Sequence, residues 1–154
     1  RGTLVHLFLE LFPLEKNLNF EEAFEKTLQR DVFNEDAKKL LNNYKIHLKS
    51  FVESNVYQLM LESKHCYKEK EFSLLNENNQ IIHGIFDVLC VNEDKITIID
   101  YKTDTISKES SIQTLEELHQ GQMYYYKKIM KQMFPDYEVE AIVYYLHIHR
   151  YVVI

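Results

Sequence analysis

Glycine and proline are scarce in this 154-residue chain, at three and two residues, and tryptophan is absent. So little turn-forming material predicts long regular elements with few tight reversals. The two cysteines, Cys66 and Cys90, lie far apart with no CxxC spacing. That usage argues against a zinc knuckle or an iron–sulfur cluster and points to a reducing compartment, with both residues acting as small buried hydrophobes. No run approaches the roughly 18 apolar residues of a membrane helix, so no membrane association is expected. A GxxxxGK(S/T) loop is missing as well, which excludes a nucleotide site of that kind in this segment. There is no internal repeat and no low-complexity stretch. The start, RGTLVHLFLELF, carries Glu10 and lacks a small-residue cleavage site, so no signal peptide is expected. Because the chain opens at Arg1 and not at Met, we expect a piece of a larger protein.

What is present suits a globular unit. Hydrophobic residues make up 45%, enough for a core, and charged residues 27%. The length fits one domain, 1–154, with a helical part over about 1–62 and an α/β part over about 63–154. The net charge of −6 is opposite to that of a nonspecific nucleic-acid binder. Composition alone does not suggest nucleic acid.

The first part reads as helical. Leu4, Val5, Phe8, Leu9 and Phe12 form an apolar stripe that Pro13 ends. Asn19 is placed to cap a second helix with Ala23, Phe24 and Leu28 inside. A third stretch, Asn34 to Leu61, is long enough for two helices. After Ser63 the pattern becomes strand-like: Cys66 to Leu75, a turn cluster at Asn76 to Asn79, Ile81 to Val91, a polar break from Asn92 to Lys95, then Ile96 to Tyr101. These predict an antiparallel three-strand meander. A polar loop over 105–111 leads to a helix from Thr114 to Phe134, with Leu118, Gln122, Tyr125, Ile129 and Met133 expected on its inner face. Pro135 ends it. Val139 to Ile148 reads as a further strand, with Tyr151 to Ile154 placed to pair with it.

The chemistry concentrates in HGIFDVLCVNEDKITIIDYKT, His83 to Thr103. Side chains alternate along a strand, so Asp100 and Lys102 share a face. If Glu93-Asp94 is a two-residue loop, Asn92 pairs with Lys95, and Asp87 stands opposite Asp100 farther along. Two facing carboxylates amid apolar neighbours repel unless a cation or a proton lies between them. A hard, oxygen-ligated ion such as Mg²⁺ or Mn²⁺ suits that pair. Each residue alone would more often be a solvated hairpin acid or a snorkelling lysine; together, in apolar strands, they point to a site.

Gly84-Ile85-Phe86-Asp87 followed by Ile99-Asp100-Tyr101-Lys102-Thr103 resembles the core signature of the RecB/AddA branch of PD-(D/E)XK nucleases, and the resemblance runs over nearly the whole chain. Gly2-Thr3-Leu4-Val5-His6 is similar to that family's N-terminal GTxxH helix, Lys68-Glu69-Lys70-Glu71-Phe72 to the strand with an acid ahead of the hairpin, and Gln122 to Tyr126 to its QxxxY helix. Val143 to His149 looks like the closing strand of the AddA nuclease domain. The resemblance implies a restriction-endonuclease-like α/β core: a central mixed sheet holding the meander, flanked by helices. It further implies a metal-dependent deoxyribonuclease, an exonuclease, within a bacterial cytoplasmic helicase–nuclease that processes double-strand breaks. DNA, helicase domains of the same chain and a second, AddB/RecC-like subunit would be its partners. By the same resemblance Asp87, Asp100 and His6 would ligate Mg²⁺, for which Mn²⁺ would substitute, with the Tyr101 backbone carbonyl adding an oxygen. Lys102 would orient the attacking water or meet developing charge. Glu69, Gln122 and Tyr126 would stand behind the metal or against the DNA backbone. His119, one turn before Gln122, is expected to be solvated. The chain departs from the pattern at Val88, where a polar residue is frequent, and at Glu71, where proline is common. Two other readings compete. One is a standalone or CRISPR-associated nuclease, the latter disfavoured by the missing cysteine cluster. The other is a catalytically silent module of the same fold that grips DNA or a partner subunit.

Overall fold

A computed structural model describes residues 2–105 and 109–154. Five helices come first: α1 Gly2–Leu11, α2 Phe20–Leu28, α3 Glu35–Asn43, α4 Lys45–Val52 and α5 Asn55–Glu62. Asn19 caps α2 by accepting from the Glu22 amide at 3.0 Å, and Asn34 caps α3 from Ala37 at 2.8 Å. The stretch expected to hold two helices holds three. Tyr44 breaks α3 from α4, its amide closing onto the Leu40 and Leu41 carbonyls, and Ser54, in extended backbone, caps α5. Phenylalanine rings glue this bundle: Phe8 lies 5.2 Å from Phe24 and 5.7 Å from Phe12, centroid to centroid.

The remainder is β1 His65–Leu75, β2 Ile81–Val91, β3 Lys95–Lys102, α6 Glu109–Met133, β4 Glu138–Tyr145, a 3-10 turn Leu146–Ile148 and β5 Arg150–Val153. One sheet runs in the order β1-β2-β3-β4-β5. The first three strands form the expected antiparallel meander, and β3–β4 is parallel, with α6 as the crossover that such a pairing requires. The strand expected from Val139 to Ile148 stops at Tyr145, because the 3-10 turn and a left-handed His149 reverse the chain into β5. Of the expected loop 105–111, residues 106–108 lie outside the described residues, and the helix begins at Glu109, ahead of Thr114.

The sheet is covered on both faces. Val88, Cys90, Ile99, Tyr101, Ile142 and Tyr144 pack on the helical bundle. Leu89, Ile96, Ile98, Ala141, Val143 and Tyr145 pack toward Met123, Ile129 and Met130 of α6. The inner face of α6 differs from the expected one. Tyr125 and Met133 are exposed, and Met123, Met130 and the half-buried Tyr126 point inward; the side chain of Leu118 lies outside the described residues. Ile129 is buried as expected. Cys66 and Cys90 face each other across β1 and β2 as free thiols, Sγ atoms 3.9 Å apart.

Candidate active site

The site forms where the meander loosens. The two-residue loop holds, with the Asn92 amide donating to the Lys95 carbonyl at 2.9 Å, and the β2–β3 ladder runs from Val91↔Ile96 to Val88↔Ile99. It ends there, one step short of Asp87 and Asp100. Beyond that point β3 continues against β4, and β2 continues against β1. Asp87 bridges the fork: its Oδ2 accepts from the Tyr101 amide at 2.8 Å, replacing the missing ladder bond. The opposite hairpin is interrupted at the same level. Pairs flank Glu69 on both sides, Lys68↔Val88 and Lys70↔Phe86, while Glu69 itself takes φ 51. Each strand rolls over here: Val88 packs on the helical bundle but Phe86 packs toward α6. The roll lets a single strand residue, Asp87, meet groups from both faces.

From the bundle side, His6 of α1 brings Nε2 within 3.1 Å of Asp87 Oδ2, its ring edge-on to Tyr101 at 5.9 Å. From the α6 side come Asp100 and Lys102, on one face as alternation requires, with Lys102 Nζ 2.9 Å from Asp100 Oδ2. Lys102 also donates to Gln122 Oε1 at 3.1 Å, and Gln122 Nε2 donates to the Tyr126 hydroxyl at 3.1 Å. The Tyr126 ring stands edge-on to Phe86 at 5.2 Å, so that residue serves core and site together. Gly84 of the GxxD run has a packing reason: a side chain there would run into the Phe72 ring, which lies across it to stack on Phe86 at 4.5 Å. Val88, the departure from the family pattern, is fully buried in the core.

The carboxylates are under tension. Asp100 is 8% exposed, and burial first, then Asp87, pushes its carboxyl up to about 6 against the pull of Lys102. Glu69 is also raised, by burial and then by Asp87 and Glu10. Glu69 thus lies within electrostatic reach of Asp87, Asp100 and His6, and Glu10, one turn after His6, joins the same field unforeseen. His119 is not the solvated residue expected. It is half-buried with Nδ1 3.3 Å from the Tyr145 hydroxyl and Nε2 3.7 Å from Asp104, and burial and then Lys102 hold it below the usual imidazole range. Its spacing from Gln122 was the available signal; Asp104 and Tyr145 carried none.

A divalent cation fits these donors on two counts. Adjacent ligands of an octahedral ion with bonds of about 2.1 Å stand about 3 Å apart, and His6 Nε2 and Asp87 Oδ2 have that spacing at 3.1 Å. Asp100 Oδ2 is buried without a well-directed hydrogen bond, the nearby ammonium notwithstanding. Among the described residues, no three His, Cys, Asp or Glu side chains already form a closed shell. Of Tyr101 it is the amide that makes a contact here.

A family model described as the PD-(D/E)XK nuclease superfamily matches residues 1–152. A Clostridium botulinum (strain Hall) protein, named as an ATP-dependent helicase/nuclease subunit, is 26% identical over 149 residues, 86% of this chain and 11% of that protein. Proteins of the same name from Thermoanaerobacter sp. (strain X514) and Staphylococcus saprophyticus are 25% and 27% identical over 150 and 151 residues, covering 86% and 84% of this chain. The chain spans 11–12% of the length of these relatives. Sheet topology, forked carboxylates and family match agree, and the chain belongs to the PD-(D/E)XK nuclease superfamily.

Proposed function

We propose that residues 1–154 act as one nuclease domain, the helical part backing the catalytic part, within a helicase–nuclease of the kind its relatives' name describes. The reaction is hydrolysis of DNA phosphodiesters, run as an exonuclease in the bacterial cytoplasm. Its partners are helicase domains of the same chain and a second subunit. One observation carries this reading: the strands part where Asp87, Asp100 and Lys102 converge. Family membership and the relatives' name support it.

Asp87, Asp100 and His6 would hold Mg²⁺ or Mn²⁺, with the Tyr101 carbonyl as a further oxygen. A cation bound there supplies Lewis-acid charge at the scissile phosphate. Lys102, fixed between Asp100 and Gln122, presents its ammonium where an attacking water or a developing oxyanion would lie. Gln122 and Tyr126 keep that lysine from folding away. Glu69 adds negative charge that favours the cation.

Cleavage of end-labelled DNA in Mg²⁺ tests the assignment. Asp100→Ala and Lys102→Ala should each lose at least about a hundredfold in rate; full activity in either rejects it. A silent DNA-gripping module draws on one observation, that His6 and Asp87 satisfy each other without a metal. Calorimetry decides: Mn²⁺ uptake by wild type, lost in Asp87→Ala, supports the nuclease, and no uptake supports the silent module.

A further inference from the structure

The outer face of α6 bears a pattern that packing does not account for. Tyr124 is 67% and Tyr125 42% exposed, although the adjacent Met123 is fully buried. From Leu118 to Pro135 the sequence holds Lys127, Lys128 and Lys131 and no acid, within a chain of net charge −6. Lys127 and Lys131 are tied to the Ile154 and Tyr137 carbonyls, whereas Lys128 is exposed. Gly121, Tyr124, Tyr125 and Lys128 share one helical stripe, about 10 Å long at the rise of an α-helix. Two surface hollows border that stripe. One lies against Leu75 and Asn76 of the β1–β2 turn, the other against Val139 at the start of β4, and both reach Lys128 and Gln132.

Gly121 is the second, independent sign. Nothing stands within 4 Å of where its side chain would be, so the fold does not ask for glycine there. A glycine inside a helix is a destabilising choice, yet it bares backbone beside Gln122, the residue that holds Lys102. Bare backbone permits close approach of another molecule.

We propose that this stripe is the track for an unpaired nucleic-acid strand running from the cutting site: the sugar–phosphate chain crosses Gly121, bases stack on Tyr124 and Tyr125, and Lys128 meets a phosphate. Stacking on tyrosine needs unpaired bases, and although Glu77 and Glu138 stand at the far rims of the two hollows, the helix stripe itself carries lysine and no acid, so a polyanion is the occupant it selects in an acidic chain. The inference rests on the nuclease reading above, and its test separates the two. The full chain in EDTA is titrated into a fluorescent oligothymidylate of about a dozen nucleotides. In parallel, turnover of thymidine 5′-p-nitrophenyl phosphate, too short to reach the track, is measured in Mn²⁺. The Tyr124→Ala/Tyr125→Ala double variant and Lys128→Glu should each weaken oligomer binding roughly tenfold or more and leave small-diester turnover unchanged. Gly121→Leu should do the same while raising the melting temperature, which shows the helix intact. Unchanged oligomer binding in all three variants overturns the track, as does an equal loss on the small diester, which would show these residues acting through Gln122. Failure of the wild type to turn over the small diester and, in Mn²⁺, to cut the oligothymidylate overturns the nuclease reading, and the binding arm still decides the track.

Discussion

Asp100 shows at the residue scale how a buried carboxylate costs the fold. Its carboxyl sits at about 6 in the folded chain against 3.8 unfolded. A raised folded-state value means that folding favours the protonated form. The stabilisation is fully present below about 4 and is lost as pH rises through about 6, a difference on the order of 3 kcal/mol. Without metal, Asp100→Asn is therefore expected to melt several degrees higher than wild type at pH 8 and nearly level with it at pH 4, read by calorimetric melts across pH. A lower melt at pH 8 would show that the carboxylate helps hold the metal-free fold. Glu69 makes a second case. A non-glycine residue at φ 51 costs about 1–2 kcal/mol, so Glu69→Gly should be more stable than Glu69→Ala by about that amount, while both lose the same carboxylate. Equal urea midpoints for the two would mean that the backbone there relaxes freely.

Elements meet at the site through anchors that propensity does not reveal. Lys68 of β1 reaches the end of α1, donating to the Leu9 carbonyl at 2.9 Å and the Phe12 carbonyl at 2.5 Å. Carbonyls at a helix C-terminus lack partners and attract a cation, and burial pushes the Lys68 amine down from its ordinary range. Lys68→Met leaves those carbonyls unpaired and should cost about 1–3 kcal/mol. Because α1 also carries His6, Mn²⁺ affinity should fall with it; calorimetry showing unchanged affinity would separate the anchor from the site. Much at this scale was legible from alternation and turn chemistry: the bounds of β2, the Glu93-Asp94 loop, and a register that carries Asp87 toward Asp100. The fork itself was not, since nothing in Asp87 or Glu69 announces that both strands roll over there. The inner face of α6 was misjudged because an aromatic such as Tyr125 counts as apolar in a periodicity whether it faces core or solvent. His119 looked solvated because its partners, Asp104 and Tyr145, come from other elements.

Charge governs behaviour at the scale of the whole molecule. A chain of net charge −6 that is to meet a polyanion, as proposed, needs its negative charge placed or neutralised. Asp87, Asp100, Glu69 and Glu10 share one field at the fork, so on the proposed nuclease reading the metal-free chain should repel the phosphate it would cut. A divalent cation reverses that field. It follows that Ca²⁺ or Mn²⁺ should tighten DNA binding by wild type, and that Asp87→Asn/Asp100→Asn without metal should already bind more tightly than metal-free wild type, because substitution has done the neutralising. The salt dependence should stay shallow: with Lys128 as the phosphate contact on the track, the slope of log K against log salt for a single strand is about −0.7. Fluorescence anisotropy over a salt series, with and without cation, checks both. A metal-free double variant that binds no better than wild type would mean that the acids are screened from the strand, and that DNA is gripped at a distance from the fork.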